Sequence, residues 1–257
     1  DPMAPLVDRV FLNPEQFTSL ETLLAIYGFS LQIYCDFSGY TDMALGLAYG
    51  LGIRLPQNFS RPYTAHNLVD FWRRWHITLS TWLRDYLYIP LGGSRSGGGR
   101  RFVNLLITMI LGGLWHGASL TFVAWGALHG FGLCVLHWSR GFHFPVPKWI
   151  GTFITFNFVT LAWVYFRAPS FSVASRVLTA AVGSPLGSLS SFASTHAFAL
   201  VLLGAFALLH RVDSHSRVRL VLQRTPKSMV GGVIVFLWLL AIVVSAGSSA
   251  EFIYFDF

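Results

Sequence analysis

Residues 103 to 138 read Val103-NLLITMILGGLWHGASLTFVAWGALHGFGLCVLH-Trp138, 36 positions without a single Asp, Glu, Lys or Arg. As one straight helix this run would measure about 54 Å at 1.5 Å per residue, far more than the roughly 30 Å of a hydrocarbon core. It must therefore break or fold back, and Gly112-Gly113 and Gly117 are the expected break points. A run this long without charge cannot sit on the surface of a water-soluble globule. It decides the fold class: a polytopic all-α bundle whose outer solvent is lipid.

The rest of the chain agrees. Of 257 residues 54% are hydrophobic and 11% are charged, with a mean hydropathy of +0.56. Soluble domains carry roughly 25% charged residues. Four more apolar regions flank the first: 20–53, 149–166, 192–209 and 230–246. The first of these is too long for one span and carries Asp36, Asp42 and several glycines. About six spanning helices are expected, with re-entrant pieces among them.

The net charge of +7 does not argue for nucleic acid, because the basic residues form no stripe on a polar domain. They sit in short clusters between apolar runs, as in cytoplasmic loops. Arg211, Arg217, Arg219, Arg224 and Lys227 place the loop before the last run on the cytoplasmic side. Counting back puts Lys148, Arg140, Arg95, Arg100 and Arg101 inside and the 166–192 loop outside, although Arg167 and Arg176 pull against that placement. No cleavable signal peptide is read at the start, and the missing initiator Met points to an excised or truncated segment. Cys35 and Cys134 fit neither a metal site nor a disulfide framework.

Residues 67–88 have another pattern. At 100° per residue, Phe71, Trp75, Leu79, Trp82 and Tyr86 fall on one face and Arg73, His76, Ser80 and Arg84 on the other. That predicts an amphipathic helix within a single transmembrane domain, begun by Asn67 and Asp70 and stopped by Pro90 and the glycines after it. The glycine-rich stretch 92–99 reads as a loop, and Asn58-Phe59-Ser60 as a weak glycosylation triplet.

His116 is the sharpest chemical candidate. It lies deep in the uncharged run, where a neutral imidazole can take a proton from a hydroxyl. Gly112, Gly113, Gly117 and Ser119 around it leave room for a ligand. The same glycines support an alternative, in which helices pack closely and His116 makes one interhelical hydrogen bond. Spacing alone does not separate the two. His129 and His137 read as structural. His76, with Arg73, Ser80 and Arg84, could orient a donor, the arginines holding phosphate or carboxylate, or the face could simply meet lipid headgroups. Asp36 and Asp42 read first as structural, pairing with Arg54 or with arginines of the amphipathic segment. No nucleophile elbow, zinc-protease motif, phosphate loop or paired Cys-x-x-Cys is present.

Several strings in order resemble one family. They are Asp36-Phe-Ser-Gly-Tyr-Thr-Asp42-Met-Ala44, Leu55-Pro-Gln-Asn-Phe59, Phe71-Trp72-Arg73-Arg74-Trp75-His76, Trp82-Leu-Arg84-Asp-Tyr-Leu-Tyr-Ile-Pro-Leu-Gly-Gly93, Gly113-Leu-Trp115-His116-Gly-Ala118 and Phe252-Ile-Tyr-Phe255. The resemblance is to the membrane-bound O-acyltransferase (MBOAT) family, in the branch of the alginate O-acetylation protein. It implies a bacterial inner-membrane acetyltransferase. An acetyl group would pass from a cytoplasmic thioester, acetyl-CoA with no other cofactor bound, toward hydroxyls of an exported alginate-like polysaccharide. A periplasmic acetyltransferase partner would complete the transfer. The resemblance makes His116 the catalytic histidine and general base, and matches His76 to the family's second histidine motif. Trp72, Arg73, Ser80, Arg84, Trp115 and Asp36 complete the expected substrate-binding set. The alternatives are D-alanyl transfer to teichoic acid and a non-catalytic membrane scaffold or export subunit. The match begins near the middle of a usual member, whose preceding helices would supply part of the tunnel wall and donor surface.

Overall fold

The computed structural model describes residues 3–95, 97–139, 146–212, 221 and 223–245. Arg140, Arg217, Arg219 and the terminal Phe252–Phe255 string lie outside the described residues. The uncharged run does fold back. It forms α5 (Gly98–His116) and α6 (Leu120–Ser139), which turn at residues 117–119. Ser119 starts α6, its hydroxyl accepting the Thr121 backbone N–H at 3.3 Å. The break is at Gly117 and not at Gly112-Gly113, which lie inside α5. Their missing side chains serve packing instead: a Cβ on Gly113 would overlap the Phe122 carbonyl, and one on Gly126 the Met109 carbonyl. The two backbones can meet only because both positions are glycine. α5 also begins earlier than expected, taking up the end of the glycine-rich stretch.

The chain enters this hairpin through α1 (Ala4–Leu12) and a single long α2 (Ser19–Gly50). A capping box fixes the start of α2: Glu21 N–H donates to the Thr18 hydroxyl at 3.3 Å, and Thr18 N–H to the Glu21 carboxylate at 2.9 Å. Its first half buries Ile26, Phe29 and Ile33 in one cluster with Val7, Val10 and Phe11 of α1, and past its midpoint Phe37 is buried against Phe59 and His76. Its second half exposes Tyr40, Met43, Leu47 and Tyr49.

After the hairpin come α7 (Lys148–Arg167), α8 (Phe171–Gly183), α9 (Leu189–Thr195), α10 (Ala197–Val212) and α11 (Lys227–Ser245). Among the described residues two helices, α6 and α7, are long and apolar enough to cross a membrane. α9 and α10, bent by 78°, make a third if taken as one span. That is fewer than the six expected, because Gln32, Asp36 and Asp42 dilute α2 and Arg100 and Arg101 open α5. The arginines that blurred the loop-charge reading are engaged locally: Arg167 pairs with Asp8 at 2.8 Å and Arg176 with Glu15 at 2.9 Å.

Residues 67–88 are not one amphipathic helix. They form α3 (Leu68–Trp72), α4 (Ile77–Leu83) and a π-helical turn, Arg84–Tyr88. Asn67 caps α3 as expected, accepting the Asp70 N–H at 2.9 Å. The chain then bends at His76, whose φ of 43° and ψ of 56° are left-handed. Phe71 and Trp75 are buried, while Trp82 and Tyr86, expected on the same face, are exposed.

Candidate active site

The bend at His76 is built by a distant segment. Ser60 N–H donates to the Arg74 carbonyl at 2.9 Å, and Ile77 N–H to the Asn58 carbonyl at 3.0 Å. These two bonds clamp residues 58–60 against 74–77 and hold a non-glycine residue in a conformation that costs about 1–3 kcal/mol. The Asn58 side chain completes the clamp. Its Oδ1 accepts from Thr78 N–H at 3.2 Å and from the Thr78 hydroxyl at 3.0 Å, and His76 Nδ1 lies 3.2 Å away. The Thr78 N–H can only donate, so the Asn58 atom facing it is the carbonyl oxygen. His76 Nδ1 must then carry the proton, which leaves the Nε2 lone pair as the acceptor. Asn58 is thus buried and structural.

His116 ends α5 beside the α6 turn. Its ring meets Trp115 at 5.0 Å, Phe166 at 5.1 Å, Trp125 at 5.4 Å and Phe122 at 6.4 Å between centroids. Trp115 in turn meets His76 at 6.4 Å. One indole thus touches both imidazoles in edge geometry. Trp115 is 60% exposed, and His116 beside it is half-buried. The space expected at the neighbouring glycines is filled, by Leu83 at Gly112 and by the Phe122 ring at Gly117.

The structure therefore gathers His76, His116 and Trp115 from separate parts of the sequence. Trp72 joins from behind: it contacts Trp125 at 5.8 Å and His129 at 5.1 Å. Arg73 is exposed at the end of α3. Ser80 donates its hydroxyl to the Trp75 carbonyl at 3.2 Å. Arg84 pairs with Asp85 at 2.7 Å, and that guanidinium holds the Asp85 carboxyl below its usual range. Asp36 is partly buried on α2, one residue before Phe37, whose ring lies 4.8 Å from that of His76. The sequence reading missed Asn58, Phe37, Trp125, Phe122 and Phe166.

With this geometry in place, the comparisons with known proteins define the class. The pattern of the membrane-bound O-acyltransferase family, MBOAT, matches residues 14–173, and the chain belongs to that family. The chain is 46% identical over 187 residues to a peptidoglycan O-acetyltransferase of Helicobacter pylori, covering 71% of this chain and 36% of that protein. It is 46% identical over 186 residues to a probable alginate O-acetylase, AlgI, of Pseudomonas aeruginosa, covering 70% of this chain and 35% of that one. A teichoic acid D-alanyltransferase of Bacillus subtilis is 30% identical over 167 residues, covering 59% of this chain and 42% of that one. The chain thus spans well under two thirds of the curated relatives it matches.

Proposed function

We propose that this chain carries the histidine site of a bacterial inner-membrane O-acetyltransferase. It passes an acetyl group from a cytoplasmic thioester, acetyl-CoA, toward hydroxyls of an exported polysaccharide. The observation that carries the reading is the meeting of His76 and His116 at Trp115, from segments 40 residues apart. Two imidazoles at one accessible indole suit a reaction that must take up one proton and release it elsewhere.

In this reading His116 removes the proton as the hydroxyl oxygen attacks the thioester carbonyl. The carbon–sulfur bond breaks, and the imidazolium returns the proton to the departing thiolate. His76 accepts at its Nε2 lone pair from an N–H or O–H of the thioester donor and so helps to position it. Arg73, exposed beside the site, is the cation available to a donor phosphate. Trp115 shields the reacting groups from water. Identity favours acetyl as the acyl group, since the two O-acetyl relatives are 46% identical and the D-alanyl relative 30%.

The test is His116→Ala in the full-length protein. It should insert and unfold like the parent, yet lose about 10²- to 10⁴-fold in acetyl transfer, the usual share of a general base. Full activity in that variant overturns the assignment. Labelling that needs the protein but not His116 would make it an export scaffold, and labelling from a D-alanyl donor alone would make it a D-alanyltransferase.

A further inference from the structure

A second feature borders the aromatic core at Tyr63, whose ring packs on Trp75. α2, α7 and α10 enclose a cleft of about 720 Å³, within the range of small-molecule sites. Tyr63 closes it toward the histidine site. Its hydroxyl donates to the Ser30 carbonyl at 2.7 Å, and its ring packs at 6.0 Å on Trp75. No residue of the expected catalytic or substrate-binding set lines this cleft.

The cleft is polarised. Its walls are apolar, formed by the half-buried Leu31, Phe156, Leu203 and Phe206 and the exposed Phe153. Its mouth carries Lys148 from the start of α7 and Arg211 from the end of α10. Arg61 joins them by donating from its guanidinium to the Arg211 carbonyl at 3.3 Å. Three cations from three segments thus converge. Among the described residues no Asp or Glu lines the cleft and none of the three cations is in an ion pair.

Arg61 is held there against its own backbone preference. Its φ of 50° and ψ of 57° are left-handed, and it precedes Pro62, which restricts it further. Among the described non-glycine residues, Arg61 and His76 share this positive φ. Strain of this kind persists where the surrounding structure enforces it, often at a ligand clamp.

The sequence reading places Arg211 on the cytoplasmic side from the charge of its loop, and Lys148 on the same side by counting spans back from it. The structure brings them to one mouth, as a common side requires. Trp149, beside Lys148 and 74% exposed, suits the level of the headgroups. The geometry points to a binding site for an anionic glycerophospholipid of the cytoplasmic leaflet. The phosphate lies among Arg61, Lys148 and Arg211, and one acyl chain lies along Phe153, Phe156 and Leu203. This site is independent of the acetyl-transfer reading and requires no activity to detect.

The test uses the full-length protein in nanodiscs of phosphatidylcholine with and without phosphatidylglycerol, the latter carrying a photoreactive acyl chain. Phosphatidylglycerol should be retained over phosphatidylcholine in native mass spectra, and should crosslink to peptides containing Phe153 or Leu203. The double variant Lys148→Gln/Arg211→Gln, exposed and outside the core, should weaken that retention about fivefold per cation removed. Ala207→Trp should block the crosslink by filling the cleft. Equal retention of the two lipids, or a preference untouched by the double variant, overturns the proposal. So does a crosslink pattern that bypasses the cleft because another segment of the protein fills it.

Discussion

The loop that carries His76 is held by hydrogen bonds and a strained backbone, whereas the α5–α6 hairpin that carries His116 is held by direct contact between two backbones. In the first, two backbone bonds clamp the bend, and the Asn58 side-chain oxygen accepts from three groups and orients the imidazole. In the second, Gly113 and Gly126 let the helices touch, and His116 is placed by where α5 must stop. One histidine is oriented by polar chemistry and the other by shape. The two supports should fail in different ways.

The hairpin should fail first as a fold. Gly126→Val puts a branched side chain where the Met109 carbonyl already lies, and no flexible side-chain end is there to yield. Overpacking of a tight core typically costs about 1–3 kcal/mol, and a backbone-to-backbone contact belongs at or above the top of that range. The expected result is a large drop in detergent unfolding temperature, with acetyl transfer lost because the protein is lost. An unfolding temperature equal to the parent's would show that the helices are not held through these glycines.

The His76 loop should fail first as chemistry. Asn58→Ala leaves the buried His76 Nδ1–H without its acceptor, which costs about 1–3 kcal/mol, while the exposed Thr78 can turn to water. It also frees the imidazole to take the other tautomer. Turnover should fall by about tenfold or more with little change in KM, since orientation and not binding is lost. Asn58→Asp keeps the accepting oxygen and should recover part of the rate. Equal losses in both variants, or a change confined to KM, would assign Asn58 to binding or folding alone.

What was legible in the sequence follows the same division. The uncharged run 103–138 showed that two helices must lie there, because that needs only length and charge. It could not tell the turn glycine, Gly117, from the packing glycines Gly112 and Gly113, since that depends on which residues of α6 come opposite. The aromatic stripe of 67–88 assumed a straight helix, and the bend at His76 is imposed by residues 58–60, a tertiary cause that no local periodicity carries. Both histidines and Trp115 were legible from chemistry and resemblance. Trp125, Phe122 and Phe166 were not, because an aromatic residue in an apolar run looks the same whether it faces lipid or an imidazole. Asn58 was given no role, because its partners at 76 and 78 lie about 20 residues on and no local pattern links them.

The smallest effect is expected where sequence and structure diverge over a charge. The pattern placed Arg84 with His76 on one polar face, yet the break at residue 76 turns α4 and the following turn away from a common helix. Arg84 is bonded to its neighbour Asp85 at 2.7 and 3.0 Å, and both are exposed. Exposed pairs contribute little to stability. Arg84→Ala should therefore leave the unfolding temperature unchanged and acetyl transfer within about twofold of the parent, while Arg73→Ala should raise KM for the thioester donor. If Arg84→Ala instead raises KM as much as Arg73→Ala, the donor contacts both arginines. The polar face read from the sequence would then reassemble around the ligand despite the bend.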